Sequence, residues 1–358
     1  MLNLSNLKKL TIVIFTYNRH KYLRRTLKYW SSYDVKVLVL DGSSTKFEDP
    51  CLHTKNIKYI YDTRSLYDRL LSSVNYINTE YMILACDDEF YLPSALCSCI
   101  NFLSSDQSFS SCGGRAVGFR TKKKKIFGIN QYPKLRGLCL DHDIASDRIS
   151  KHFSSYVPAH FYSVIRTNNW KIISLYVFQK KYSFLDSFEL QVEFLIMLSG
   201  KSKIFSELMW MRNNEVPHVG FELEIKIQRW WYDKKNENEK KDFLQRMNNA
   251  CNEILIDQNS ELNEHKISEL FEIFIDKTLK NVKKNFLRKL LNFVPFKVKQ
   301  IIKFFKKWYY FKTYKYRSPV NEKILSEEIN TLELEGVLVN HKELNKISSI
   351  LTDSNNND

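Results

Sequence analysis

The first ninety residues repeat one pattern: a short apolar run, a polar group at its end, then apolar positions at helical spacing. Thr11-Ile12-Val13-Ile14-Phe15 ends in Thr16-Tyr17-Asn18-Arg19, and Leu23, Leu27 and Trp30 follow at spacings of four and three. Val35 to Leu40 leads into Asp41-Gly42-Ser43-Ser44. Ile57 to Tyr61 ends at Asp62, after which Leu66, Leu70, Leu71 and Val74 mark one face of a helix. Tyr81 to Cys86 runs into Asp87-Asp88-Glu89. Strands that alternate with helices predict an α/β fold with a mainly parallel sheet covered on both faces.

The pattern weakens after residue 120. Residues 121–155 read as irregular and polar, with Lys122-Lys123-Lys124-Lys125 as a solvated loop. Asp141-His142-Asp143 is a poor metal site, because alternate residues of one short loop rarely converge without further ligands. Phe161 to Arg166 reads as a strand, with Thr167-Asn168-Asn169 as its turn. Tyr182 to Glu189 leads into a helix with Leu190, Phe194 and Met197 on its apolar face, and Gly200 suits its end. Ile204 to Met211 is a further strand, and residues 223–275 read as amphipathic helices.

Hydrophobic residues make up 44% of the chain, enough for a sizeable core. No run approaches the roughly 18–20 apolar residues of a membrane-spanning helix. MLNLSNLKKL lacks the apolar core of a secretory leader, so the written start is the expected mature one. Seven cysteines without a CxxC read as reduced thiols, and the expected compartment is the cytoplasm.

The net charge of +15 changes the picture, because it is concentrated. Lys277 to Arg317 carries 14 Lys or Arg, no Asp or Glu, and eleven aromatics, while the rest of the chain is near neutral. Leu279, Val282, Phe286, Leu287, Leu290 and Leu291 form a helical stripe, broken at Pro295 and resumed by Val298, Ile301, Ile302, Phe305 and Trp308. Basic helices with an aromatic face lie in the headgroup region of anionic membranes. A peripheral position on the inner face of the cell membrane is therefore expected. Nucleic acid is not an expected partner, since no nucleic-acid-binding module accompanies the charge. Truncation at Lys277 is expected to leave a folded, near-neutral domain. The predicted organisation is a domain over 1–222, with halves 1–120 and 121–222. A helical region over 223–351 contains the basic segment 277–317, and a disordered tail follows at 352–358.

In parallel sheets, ligands sit outside the carboxyl ends of the strands. Three strands here deliver Asp41, Asp62 and Asp87 to that edge. Each alone is explained as a turn former or helix cap; together with Asp88 and Glu89 they point to a ligand site. Neither GxGxxG nor GxxxxGK[ST] is present, which excludes the usual dinucleotide and P-loop sites. Carboxylates repel phosphate unless a hard divalent cation lies between them.

The segments TIVIFTYNR, VKVLVLDGSS and YMILACDDEF resemble the nucleotide-sugar half of family 2 glycosyltransferases of the GT-A fold. The resemblance covers about residues 9–120 and continues less clearly to 220. It implies that Thr16, Tyr17 and Arg19 line the nucleoside pocket, that Asp41 contacts base or ribose, and that Asp62 and Asp88 complete the donor site. Asp87 and Glu89 would fill the DxD positions that hold Mn²⁺ or Mg²⁺, Glu standing where the family usually has Asp. His218 would be a third metal ligand. Asp186 would be the catalytic base in an "ED"-type motif whose first acid is replaced by Leu185, with Glu189 one turn later as the fallback. An N-cap role for Asp186 is compatible with this.

The implied activity is transfer of a sugar from a nucleotide-sugar donor to a glycan or lipid-linked glycan acceptor. It would be inverting, metal-assisted and part of bacterial surface polysaccharide biosynthesis. A nucleotidyltransferase would need a glycine-rich loop where FTYNR stands. A CMP-sugar-dependent, metal-independent transferase on the same scaffold stays open. So does a non-catalytic membrane- or nucleic-acid-binding protein that retains the fold.

Overall fold

A computed structural model describes residues 4–123, 125–184, 187–215, 227–255, 262–283 and 323–353. Strand β1 (Leu10–Thr16) is followed by helix α1 (His20–Trp30), β2 (Lys36–Asp41), β3 (Ile57–Tyr61), α2 (Leu66–Ser72) and β4 (Tyr81–Cys86). These strands pair in parallel in the order β4-β1-β2-β3, with Thr11 opposite both Lys36 and Met82. Their side chains alternate between two cores, as the period of two requires. Ile12, Ile14, Val37 and Val39 face one apolar cluster, while Val13, Leu38 and Leu40 face the other. All four strands therefore deliver their carboxyl ends to the same edge.

Beyond β4 come β5 (Phe90–Tyr91), α3 (Pro93–Ser105) and the long β6 (Phe109–Lys122). Strand β7 (Lys125–Gln131) then folds back along β6 as a hairpin. Next are β8 (Cys139–Leu140), α4 (Ala145–Ser154), β9 (Val164–Arg166), α5 (Thr167–Phe178), α6 (Ser187–Ser199) and β10 (Lys201–Asn213). Strand β9 lies antiparallel between β4 and β6, and β10 runs parallel to β6 with irregular register. The sheet is thus parallel in its first half and mixed in its second.

Two local expectations are corrected. Residues 121–155 are ordered as a hairpin, a short strand and a helix. Lys122 and Lys125 face each other across the hairpin turn, and Lys123 adopts φ 48°. Strand β7 carries only Ile126, Phe127 and Ile129 beside a lysine-rich turn, too short an apolar signal to stand out from the polar stretch around it. Thr167 starts α5 instead of closing a turn; Trp170, Ile173 and Val177 are its buried face.

The end of the chain consists of α7 (Glu237–Ile254), α8 (Glu264–Lys283), β11 (Lys323–Ile324), α9 (Leu325–Leu334) and α10 (His341–Asp353). Helices α7 and α8 cover the α4–α6 face through Phe243, Met247, Phe271 and Phe274. The last two helices join the opposite core. Leu325, Ile329, Leu332, Leu344, Ile347 and Leu351 are buried in the cluster that holds Ile12, Ile14 and the α1 residues Leu23 and Leu27.

One contact explains much of that attachment. Helix α3 has Pro93 in its first turn and Leu92 at its N-cap, which offers no capping side chain. Glu343 of α10 takes that role, accepting from Ser94 N at 3.0 Å and Ser94 Oγ at 2.8 Å. A carboxylate there also meets the positive end of the helix dipole.

Truncation at Lys277 would therefore strip part of the central core, so the closing helices are not a separable appendage. The basic segment beyond residue 283, where the membrane-binding expectation mostly falls, lies outside the described residues, as do residues 354–358. Among the described residues no helix is long and apolar enough to cross a membrane. Ile347→Ala, at a fully buried site on α10, should cost about 2–5 kcal/mol. Denaturant unfolding followed by circular dichroism measures it; a loss below 1 kcal/mol would show that the closing helices are only loosely attached.

Candidate active site at the carboxyl ends of the parallel strands

The loop after β1 is tied to the loop after β2. Asn18 adopts φ 55°, and its Oδ1 accepts from Ser44 N at 2.9 Å and Ser44 Oγ at 3.0 Å. Asn18 N in turn donates to Ser43 Oγ at 2.7 Å. Beneath these loops the buried Arg69 of α2 donates through Nη1 to Thr16 O at 2.9 Å and Leu40 O at 2.8 Å. Gly42 makes this possible, since a Cβ there would collide with the Arg69 guanidinium.

The turn after β4 is held from below by α1. Thr26 Oγ1 donates to Asp87 O at 2.7 Å, and Arg25 Nη2 reaches Asp88 O at 3.4 Å. Its three acids point to different surroundings. Asp87 Oδ2 accepts from Thr16 Oγ1 at 2.5 Å, with Arg19 Nε 3.4 Å from Oδ1. Asp88 pairs with Arg19 and accepts from Asn213 Nδ2 at 3.1 Å. Glu89 faces Arg212, whose Nε is 3.8 Å from Oε1, and its buried Oε2 accepts no hydrogen bond of ordinary geometry.

A cavity of about 420 Å³ opens between these loops, lined among others by Tyr17, Arg19, Arg64, Arg69 and Asp87. Thr16, Tyr17, Arg19 and Asp87 are thus brought together, as expected of a donor pocket. Tyr17 is 61% exposed at its rim. Two other expected residues act from behind it. Asp41 is fully buried, with its oxygens engaged by Ser43 N at 2.8 Å and Tyr59 Oη at 2.7 Å, and with His20 Nε2 at 3.4 Å. Asp62 grips the guanidinium of Arg64, a cavity-lining residue, at 2.6–3.0 Å.

Among the described residues, the acid whose ligand atom groups with that of Glu89 is Asp88. With Cys86 Sγ these atoms lie within 4.8 Å of one another, whereas Asp87 faces the cavity. The oxygen donors of Asp88 and Glu89, one of them unpartnered, suit a hard divalent cation; the competing Arg19 and Arg212 partly neutralise them already. Burial first, then the charge of Asp88, pushes Asp87 up to about 7 and Glu89 up to about 8.

On the far side of Glu89 stands an aromatic wall that sequence reasoning missed. Tyr162 stacks on Trp210 at 4.7 Å, Tyr132 stacks on it at 5.9 Å, and Arg212 lies over both Trp210 and Tyr132. Glu189 sits near this wall, accepting from Tyr156 Oη at 2.8 Å. Burial raises the Tyr162 phenol, and the charges of Cys86, Glu89 and Glu189 all add to that rise. The acids of the two halves therefore share one neighbourhood. Asp186 and His218 lie outside the described residues.

A mixed sheet with a parallel first half and an acid-rich turn at its strand ends is the α/β arrangement expected of the GT-A type. Residues 11–156 match glycosyl transferase family 2. This part of the chain is a family 2 glycosyltransferase domain, and the protein is a glycosyltransferase. No curated protein sequence matches the chain. Among solved structures, S. aureus TarS 1–349 is 15% identical over 76% of this chain and 82% of that one, with a TM-score of 0.42. TarS 1–349 in complex with UDP-GlcNAc is 12% identical over 75% and 82%, with a TM-score of 0.43.

The raised carboxyls make stability depend on pH. Unfolded, Asp87 and Glu89 titrate near their ordinary values of 3.8 and 4.5, so between there and about pH 7–8 the folded chain binds more protons. Stability attributable to them falls as pH rises through that range. Above pH 6.5 the opposite contribution of the buried His152 and His160, lowered to about 3 and 4, is already complete. Glu89→Gln should therefore flatten the decline in Tm between pH 6.5 and 8.5. It should also raise Tm at pH 8.5 on the order of 2–4 °C, the size of about 1 kcal/mol in a large domain. A variant that melts below the parent at pH 8.5 would refute this account of Glu89.

Proposed function

We propose that this glycosyltransferase moves a sugar from a nucleotide-sugar donor to a hydroxyl of a glycan or lipid-linked glycan, with inversion and metal assistance. The cavity carries this reading: Arg19, Arg64 and Arg69 surround it, Asp87 lines it, and Tyr17 offers a ring at the rim for a nucleoside base. Three guanidinium groups supply the positive charge that a diphosphate requires. A divalent cation at Asp88 and Glu89, with Asp87 alongside, would stabilise the departing diphosphate. The tyrosines of the aromatic wall and Glu189 would face the acceptor.

In this reading Asp186, just before α6, takes the proton of the acceptor hydroxyl as its oxygen attacks the anomeric carbon and the bond to the diphosphate breaks. Glu189 is the weaker base, because the Tyr156 hydroxyl already donates to it. Asp186→Asn should keep donor affinity and lower turnover by roughly 10²–10⁴, the usual contribution of a general base. A larger loss from Glu189→Gln would move the base there.

The arginines on the acids favour a second reading, a CMP-sugar donor used without metal. Thermal-shift titration with nucleoside diphosphates and with CMP, each with and without Mn²⁺ or Mg²⁺, separates the two, since a ligand of the native state raises Tm. A metal-dependent rise with a diphosphate, lost in Glu89→Gln, is expected. A rise with CMP alone, indifferent to metal, would establish the second reading. No response to any nucleotide and no donor hydrolysis would leave a non-catalytic protein.

The setting we propose is bacterial surface polysaccharide assembly on the cytoplasmic face of the membrane, with residues 277–317 resting on anionic lipid. The full chain should sediment with anionic vesicles and progressively less as salt rises, because the attraction is screened within a Debye length. Equal binding to neutral and anionic vesicles would defeat this part of the proposal.

A further inference from the structure

Away from the donor cavity, three side chains from two distant parts of the sequence converge inside the second core. His152 lies in the last turn of α4, His160 in the short turn that follows, and Glu193 in the middle of α6. All three are buried, and one ligand atom from each lies within 4.8 Å of the others. His152 Nε2 and Glu193 Oε2 are 2.9 Å apart. We infer that His152, His160 and Glu193 form a zinc site, its fourth position left to a water molecule, that ties α6 to the end of α4 and the turn after it.

The state of each donor atom supports this. His152 Nε2, His160 Nε2 and Glu193 Oε2 all lack a hydrogen-bond partner of proper geometry, despite the close approach of two of them. Buried polar atoms are rarely left so, and three at one point call for a common partner. The remaining atoms are held as a metal site holds them. His160 Nδ1 is 2.9 Å from Ser202 Oγ, which also accepts from Ser111 Oγ at 2.7 Å. A proton on Nδ1 directed at Ser202 leaves the Nε2 lone pair for a cation, the usual outer-shell arrangement of a ligating histidine. Glu193 Oε1 accepts from Phe161 N at 2.7 Å, which leaves Oε2 available.

Charge points the same way. Among the described residues no lysine or arginine pairs with Glu193. A buried carboxylate without a cation is costly, and a divalent ion would supply the missing charge. Two neutral imidazoles and one carboxylate form a ligand set suited to zinc, unlike the all-oxygen shells that Mg²⁺ prefers. Ligand atoms around a tetrahedral zinc lie about 3.3 Å apart with bonds of about 2.0–2.1 Å. Small rotations of the three side chains would reach that spacing.

The test uses the full chain purified without chelator. Elemental mass spectrometry should find about one zinc per chain. Stripping with a strong chelator should lower Tm, and zinc, but not Mg²⁺ or Mn²⁺, should restore it. Ser202→Ala leaves all three ligands in place and should weaken zinc binding by roughly 10–100-fold, the effect of losing an outer-shell partner. Cobalt in place of zinc should give a visible ligand-field band without thiolate charge transfer. Absence of zinc, with no chelator effect on Tm, would mean a plain hydrogen-bonded cluster and overturn the inference. Zinc that shows thiolate charge transfer with cobalt and is lost in Glu89→Gln would place the ion at Cys86, Asp88 and Glu89, and would also overturn it.

Discussion

Three consecutive acids buried in one turn set the terms for the rest of the donor half. Asp87, Asp88 and Glu89 leave β4 into an enclosed space where like charges are expensive, so every neighbouring element contributes something that offsets them. The first strand's loop supplies Thr16 and Arg19, and β10 supplies Arg212 and Asn213. Helix α1 fixes the turn's backbone through Thr26 and Arg25. These partners offset the charge of the turn while leaving Glu89 Oε2 without a hydrogen bond of ordinary geometry. Burial and the charge of Asp88 push the Asp87 and Glu89 carboxyls up to about 7 and 8.

The two halves of the molecule meet at Trp210 and Tyr162. Glu89 of the first half and Glu189 of the second both act on the Tyr162 phenol, although they lie a hundred residues apart in sequence. Irregular register along β6 and β10 curls the sheet, and β10 ends beside the acid turn. That ending sets Arg212 and Asn213 against the acids, with Trp210 in the wall beside them.

The parallel half of this architecture was legible because β1, β2 and β4 are buried on both faces and read as apolar runs, while the edge strand β3 shows itself by its β-branched and aromatic residues. The acids were legible for a related reason: a charged triplet directly after such a run has few structural uses. Partners that come from far along the chain left no local mark. Arg69 looks like any helical arginine until Gly42 is seen to make room for it, and that glycine is the one clue the sequence offered. Trp210 falls inside a strand and Tyr132 in a stretch that reads as irregular, and nothing in their neighbours' spacing links them to Glu89. Hairpin β6–β7 was hidden by its lysine-rich turn; helices α9 and α10 fall in the region read as helical, but the basic stretch before them made that region look like a separate module and hid their packing on the central core. The fold was thus readable where periodicity is local and unreadable where contacts depend on topology.

Glu343 closes α3 from 249 residues further along the chain. Helix α3 begins four residues after the acid turn, so its uncapped end borders the place where donor chemistry is proposed. During synthesis at roughly 5–20 residues per second, about 12–50 s separate the emergence of Ser94 from that of Glu343. Over that interval the nascent strands can pair, yet the helix beside the site must wait for its cap. A chain interrupted before the closing helices keeps its acid turn but lacks the carboxylate that caps the helix beside it.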